Sequence, residues 1–265
     1  MKPVLFLGAS GKLGRAMQRF WQVSPSETVA ATWVLRGQER ANDGPFDAVV
    51  ALWGVTSGTE QELAMNSALA QRAVRIARDV GAQRVLHLSS AAVYSETDAL
   101  MAEGDATEPT RPYGQAKCHM EAQLAALPTP PVSCALRLAN VAGADSLFKG
   151  LSGDGEISID QFENGAGPLR SYIAVPELAA VIEALVTCDV AAMPKVLNVA
   201  APEPVDMGDI ARAAGRSFAW IPAREGAVAR HVLDTQRLQG LVTLPDNASD
   251  ARHLVDSWRR YGGWT

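Results

Sequence analysis

The segment VLFLGASGKLGRAM, residues 4–17, decides the fold: a short apolar run, then Gly8, Gly11 and Gly14 in the spacing GxxGxxG, then an amphipathic stretch. Strand, tight turn and helix in that order aim free backbone N–H groups and the positive end of a helix dipole at one spot, where a pyrophosphate can sit. Gly8 would permit the turn, Gly11 the approach of backbone to phosphate, and Gly14 close packing of helix on strand. Ser10 can add a hydroxyl donor. An ordinary glycine-rich turn carries the same glycines, so the rest of the chain must decide.

Working outward, apolar runs recur at residues 29–35, 48–53, 84–89, 134–138 and 196–200. Near-continuous apolar runs suit strands buried on both faces of a parallel sheet. Helical patterns lie between them at about 12–21, 60–79, 113–127 and 176–187. The alternation predicts an α/β fold, a Rossmann-type doubly wound parallel sheet with a small C-terminal substrate lobe. Residues 1–142, completed by about 171–200, form the dinucleotide-binding domain in this reading, and 143–170 with 201–265 form the lobe. Leu254, Val255 and Trp258 fall at helical spacing and predict a terminal helix over 248–261.

Composition narrows the partners. The 265 residues are 48% hydrophobic with a formal net charge of -5 and no lysine or arginine run, which argues against nucleic acid. The apolar run after Met1, Lys2 and Pro3 is too short for a signal peptide core or a membrane span, so a cytoplasmic location and no membrane partner are expected. Cys118, Cys134 and Cys188 form no CxxC pair and the four histidines show no ligand spacing, so neither disulfides nor a metal are expected.

The end of the second apolar run bears on which nicotinamide cofactor the turn would hold. An acidic side chain there accepts from the ribose hydroxyls of NAD, and a basic one holds the 2′-phosphate of NADP. The run ends VLRGQER with no carboxylate before Glu39, so Arg36 is the natural 2′-phosphate ligand, with Arg40, Lys12 and Arg15 as helpers. The cofactor expected is NADP, with NAD possible. A solvated arginine after a strand is the plainer alternative.

Two later segments supply chemistry. RVLHLSSAAVY at 84–94 places Ser90 at a strand end, and RPYGQAK at 111–117 places Tyr113 at a helix start with Lys117 one turn on. A lysine ammonium near a phenol favours the phenolate and can hold the nicotinamide ribose with its other donors. Ser90 would hydrogen-bond the substrate oxygen while Tyr113 moves the proton. A tyrosine and lysine four apart are usually surface or packing residues; their order after the glycine turn makes chance a poor account.

With these residues in place the chain resembles an extended short-chain dehydrogenase/reductase, the NAD-dependent epimerase/dehydratase family. FDAVVALWG at 46–54 resembles that family's fourth strand and small-residue turn, RLANVAG at 137–143 its RxxNvyG segment, and GAGPLRSYIAV at 165–175 its glycine-rich turn and following strand. The resemblance implies that Ser90, Tyr113 and Lys117 are catalytic. It also implies that Asn66 anchors the fourth-strand region near the cofactor, that Asn140 contacts substrate, and that Arg170 faces a substrate phosphate or carboxylate. A homodimer through the helices at 60–79 and 113–127 is a further implication.

Departures from the pattern are equally specific. The interval between Arg36 and Asp47 is too short for the usual third strand and its helix, so the adenine pocket must be rebuilt. Trp53 stands where the family has a small residue beside the cofactor, making that wall bulkier or simply packing the core. Ala91 and Ala92 follow Ser90 where sugar-nucleotide dehydratases carry an acid pair, which disfavours dehydration. The expected function is thus an NAD(P)-dependent oxidoreductase or epimerase on a secondary alcohol or ketone of a sugar, nucleotide sugar or related small carbonyl. The competing class is a cofactor-sensing Rossmann protein without turnover that regulates a protein partner.

Overall fold

The computed structural model describes residues 1–35, 37, 38 and 44–262. Arg36 and Arg40 lie outside the described residues.

Six parallel strands form the central sheet: β1 (Lys2–Leu7), β2 (Val29–Val34), β3 (Ala48–Ala51), β4 (Arg84–Ser90), β5 (Val132–Leu138) and β6 (Val196–Val199). Their spatial order is β6-β5-β4-β3-β1-β2, and every pairing is parallel. The order reverses at β1, between β3 and β2. Open α/β sheets bind ligands beyond the carboxyl ends of the strands at such a reversal, and here the glycine turn leaves β1 at that point. No further strand of the sheet lies beyond β2 among the described residues, so the short interval after residue 35 leaves β2 at the edge. Trp33 of β2 stacks on Phe6 of β1 at 4.4 Å between ring centroids, which holds the edge to the core.

Helices α1 (Lys12–Val23), α2 (Glu60–Asp79), α3 (Pro112–Ala125) and a long helix, Val175–Thr187, cover the sheet. The amphipathic patterns meet these bounds within two residues. Thr59 and Glu62 close a reciprocal capping box at the start of α2, satisfying end N–H groups that would otherwise be unpaired. One apolar cluster joins β1, β3 and β4 to α2 and α3 through Leu5, Val49, Val85, Leu69, Val74 and Met120. The opposite face packs α1 and the helix Val175–Thr187 through Met17, Trp21, Leu178 and Ile182.

Much of the remaining chain folds into short strands and helices beside the sheet, here called the lobe. Ser158–Gln161 pairs with Ala219–Pro222, and Leu169–Arg170 lies between Val205–Asp206 and Arg230–Leu233. Its core gathers Phe148, Tyr172, Ile210, Leu254 and Val255. The terminal helix runs Ala251–Ser257 and continues as a wider turn, Trp258–Gly262. Its end returns to the sheet layer: Tyr261 packs edge-on to Phe20 of α1 at 5.3 Å, and Arg19 donates to the carbonyls of Tyr261 and Gly262 at 3.3 and 3.0 Å. Leu238 and Tyr261 therefore belong to the sheet's own core although they follow residue 201. No helix among the described residues is long and apolar enough to cross a membrane.

Candidate active site

The glycine turn is shaped by backbone needs. Gly8 has φ +94°, and a Cβ there would stand 2.8 Å from Trp53 N; a Cβ on Gly14 would collide with the carbonyl of Gly8. The turn therefore presses α1 onto β1 and brings the ends of β1 and β3 together. Gly11 caps α1 without a side-chain hydrogen bond, and no acidic residue sits in the first turn. That leaves the first N–H groups to an anion. Ser10 and Lys12 are both exposed beside it.

At the end of β3, Asn66 is 2% exposed and ties the loop to α2: its Nδ2 donates to Val55 O and Leu63 O, both at 2.9 Å, and its Oδ1 accepts from Val55 N at 3.1 Å. A Cβ on Gly54 would lie 3.2 Å from Asn66 Oδ1 and 3.5 Å from Lys117 Nζ, so glycine there lets both side chains approach the strand end. The Trp53 indole is buried with Leu69, Ala70 and Met120 rather than open to the cleft, and its Nε1 has no hydrogen-bond partner.

Ser90 and Tyr113 meet across the end of β4. Ser90 Oγ accepts from Ala92 N at 3.2 Å and opens a single 3-10 turn, Ala91–Val93. Pro112 starts α3, where a missing N–H costs nothing. Gly114 follows Tyr113, and a Cβ there would run into the carbonyl of Ala92 and stand 2.7 Å from Pro109 Cβ. The helix start is thereby pressed onto the turn after Ser90. Burial holds the Tyr113 phenol above its ordinary pKa, opposed by the nearby Ser90 hydroxyl.

Lys117, 3% exposed, donates from Nζ to Leu88 O at 2.8 Å and stands 5.8 Å from the centroid of the Tyr113 ring. Burial pushes its pKa down to about 8, with Glu121 pulling upward. For the Tyr113 phenol burial is the largest influence, while Lys117 is engaged by the strand carbonyl of Leu88.

Behind this pair runs a buried polar chain. Glu121 on α3 accepts from Ser89 Oγ at 2.5 Å and from Arg137 Nη2 at 2.8 Å; Arg137 Nη1 donates to Tyr94 Oη at 2.9 Å, and Tyr94 Oη donates to Asn198 Oδ1 at 2.7 Å. The chain joins α3 to β4, β5 and β6, fixing which face of α3 meets Ser90.

Ser90, Tyr113, Asn140 and Arg170 line one cleft of about 850 Å³ between sheet and lobe. Asn140 lies in parallel register with Tyr172, whose hydroxyl donates to Asp145 Oδ2 at 2.6 Å. Arg170 is engaged within the protein: Nη1 donates to Leu169 O and Ala229 O at 2.8 and 3.2 Å, and Nη2 to Val228 O at 2.9 Å. Much of its fork thus clamps the segment 228–229. Three further cleft residues, Arg111, Arg224 and His231, were not singled out in the sequence. Arg111 directly precedes the Pro112–Tyr113 pair, a signal within reach; Arg224 and His231 come from the irregular lobe, which carries no periodicity to place them.

The profile of the NAD dependent epimerase/dehydratase family matches residues 4–200, about three quarters of the chain. The chain belongs to that family. It is an enzyme of the extended short-chain dehydrogenase/reductase type. No curated protein matches it. Solved structures agree on the fold. MoeE5 in complex with UDP-glucuronic acid and NAD superposes with a TM-score of 0.74 at 20% identity, covering 97% of this chain and 99% of that one. The UDP-Glc/GlcNAc 4-epimerase from Campylobacter jejuni gives 0.76 at 17% identity, with 98% and 99% covered. A UDP-N-acetylglucosamine 4-epimerase from Methanobrevibacter ruminantium M1, in complex with UDP-N-acetylmuramic acid, gives 0.78 at 17% identity, with 98% of each chain covered.

Proposed function

We propose that this member of the epimerase/dehydratase family is an NAD(P)-dependent oxidoreductase or epimerase acting on a secondary alcohol or ketone of a sugar, nucleotide sugar or related small carbonyl. The observation carrying this reading is that Ser90 and Tyr113 line the same cleft, with Lys117 one helical turn behind. The glycine cradle, the uncapped start of α1 and the Gly54 approach suit a dinucleotide, with Gly8, Ser10, Gly11, Lys12 and Gly14 toward its phosphates and Asn66 and Lys117 toward its ribose.

When bound, the nicotinamide supplies the hydride donor or acceptor. Ser90 holds the substrate oxygen and Tyr113 gives a proton to it in reduction or removes one in oxidation. A phenol kept protonated by burial is poised for donation to a carbonyl oxygen. Ala91 and Ala92 put no acid beside the reacting carbon, which favours simple hydride transfer over elimination of water. The complexes with UDP-glucuronic acid and UDP-N-acetylmuramic acid on the same fold support a nucleotide sugar.

NADP is the preferred cofactor in this reading, held by Arg36 after β2; a cytoplasmic homodimer through α2 and α3 completes it. The test is a panel of nucleotide sugars and small carbonyls assayed with NADH and NADPH. Tyr113→Phe should remove most turnover and leave cofactor affinity nearly unchanged, and Arg36→Ala should erase about tenfold preference for NADPH. Turnover near wild type in Tyr113→Phe would refute the site, and equal affinity for both cofactors in wild type would refute the Arg36 assignment. Cofactor retained through purification marks an epimerase rather than a freely exchanging reductase.

A further inference from the structure

Beneath the end of β3 lies a second void, of about 10 Å³, lined by Ala51, Trp53, Asn66, His87, Leu88 and Met120. All of these except Leu88 are buried. Two of them carry a buried polar atom with no hydrogen-bond partner in the protein, Trp53 Nε1 and His87 Nδ1. The sheet brings the two together: His87 of β4 stands in parallel register with Ala51 of β3, and Trp53 follows Ala51 two residues on, so both rings leave the face that packs on α2 and α3. The other ring nitrogen, His87 Nε2, lies 3.3 Å from Ser133 Oγ. Burial, with the Lys117 ammonium adding, pushes the His87 pKa down to about 3, so the ring is neutral and one of its nitrogens must accept. Asn66 has both amide hydrogens engaged by Val55 O and Leu63 O, which leaves only Oδ1 for a further contact. A void of this size takes about one water.

We propose that a single buried water bridges Trp53 and His87, accepting from Trp53 Nε1 and donating to His87 Nδ1. His87 Nε2–H then donates to Ser133 Oγ, and that bond fixes the tautomer. One water satisfies an N–H donor and a ring-nitrogen acceptor at once, each of which is costly to leave unpaired in a buried site. Neither residue lines the cleft of Ser90 and Tyr113. The bridge bears instead on the glycine turn, through the backbone. A Cβ on Gly8 would stand 2.8 Å from Trp53 N, so the turn closes directly on this residue, and an indole held from behind steadies the strand end it closes on. Trp53 and His87 are positioning residues for the phosphate turn, acting without touching the dinucleotide. That last step rests on the dinucleotide reading of the turn; the bridge itself does not.

An atomic-resolution crystal structure of the wild-type protein should show one water within hydrogen-bond distance of both Trp53 Nε1 and His87 Nδ1. A dry void, a water on only one of the two atoms, or direct contact between the rings would overturn the bridge. In solution at pH 7, nitrogen resonances of the labelled protein should give His87 as the Nε2–H tautomer, and the Trp53 indole N–H, assigned by its contacts with Ala70 and Met120, should show cross-relaxation with a long-lived water. An Nδ1–H tautomer would equally overturn it. The positioning role is read by titrating the reduced cofactors. His87→Leu removes the acceptor and should weaken NADH and NADPH alike by about threefold or more, whereas His87→Asn, whose amide oxygen falls near the Nδ1 position, should restore most of that loss. Trp53→Phe removes the donor, should act as His87→Leu does, and serves in its place if that variant fails to fold. Cofactor affinities unaltered in the folded variant would defeat the positioning role. Wild-type protein that binds neither cofactor would count against the dinucleotide reading alone, since the crystal structure and the nitrogen resonances decide the bridge without any cofactor.

Discussion

Ser89 Oγ donates to Glu121 Oε1 at 2.5 Å, a contact that spans from the end of β4 to the middle of α3 and fixes the two elements carrying Ser90 and Tyr113. The same carboxylate pairs with Arg137, both side chains being about one tenth exposed or less. Truncating one partner of such a pair leaves the other charge buried and unpaired. Glu121→Gln should therefore cost about 3 kcal/mol or more of stability, read by urea unfolding. Turnover should fall further than the folded fraction does, because α3 loses its rotational anchor. A loss of under about 1 kcal/mol would mean that Arg137 is satisfied by Tyr94 and the Glu103 carbonyl alone.

Gly114→Ala should lower turnover at least about tenfold while leaving cofactor affinity close to wild type. A Cβ there meets the Ala92 carbonyl and Pro109, so the start of α3 must back away and carry Tyr113 from Ser90. Steady-state kinetics with cofactor titration checks this. Unaltered turnover would show that the turn after Ser90 yields instead.

Lys117 predicts a pH dependence of folding. Its folded pKa is pushed down to about 8 from an ordinary 10.5, so between those values the unfolded chain binds more protons than the folded one. Stability contributed by this site rises with pH through that window and is least below pH 8. Lys117→Met should remove the rise and stabilise the cofactor-free protein at pH 7 by roughly 1 to 3 kcal/mol, while weakening cofactor binding. Unfolding curves at pH 7 and 9.5 for both proteins decide it: a rise that survives the substitution assigns it to another group.

Asn66→Ala removes three hydrogen bonds from a buried side chain that holds the loop after β3. Leaving the Val55 N–H and carbonyl without those partners should cost roughly 2 to 3 kcal/mol and weaken the dinucleotide, read by thermal unfolding and cofactor titration. An unchanged cofactor affinity would separate that loop from the binding site.

How far the sequence carried depends on what made each residue readable. The sheet strands and long helices were legible because burial on both faces of a parallel sheet enforces apolar runs at regular intervals; β2 ended within a residue of its expected limit, as did α2. Ser90, Tyr113, Asn140 and Arg170 were placed by motif and do share a cleft. Gly114 was not singled out, since its need for a bare Cα arises from Ala92 and Pro109, neither adjacent to it in the chain. His231 sits in a short lobe strand, Arg230–Leu233, and Arg224 in the loop after another, Ala219–Pro222, and the pairing of such strands is set by tertiary contacts rather than by alternation. The guanidinium of Arg170 was expected to await substrate, and only the packing of residues 228–229 shows how much of it is already engaged.

The polar chain through Arg137 ends on Asn198, more than a hundred residues after the serine turn it supports. A nascent chain still missing β6 can form the glycine turn and pair β1 with β3, yet the Tyr94 hydroxyl has no Asn198 to receive it and Arg137 rests on an incomplete set of partners. The polar support behind Ser90 and Tyr113 is consequently a late event in folding, closed only once β6 brings Asn198 to Tyr94.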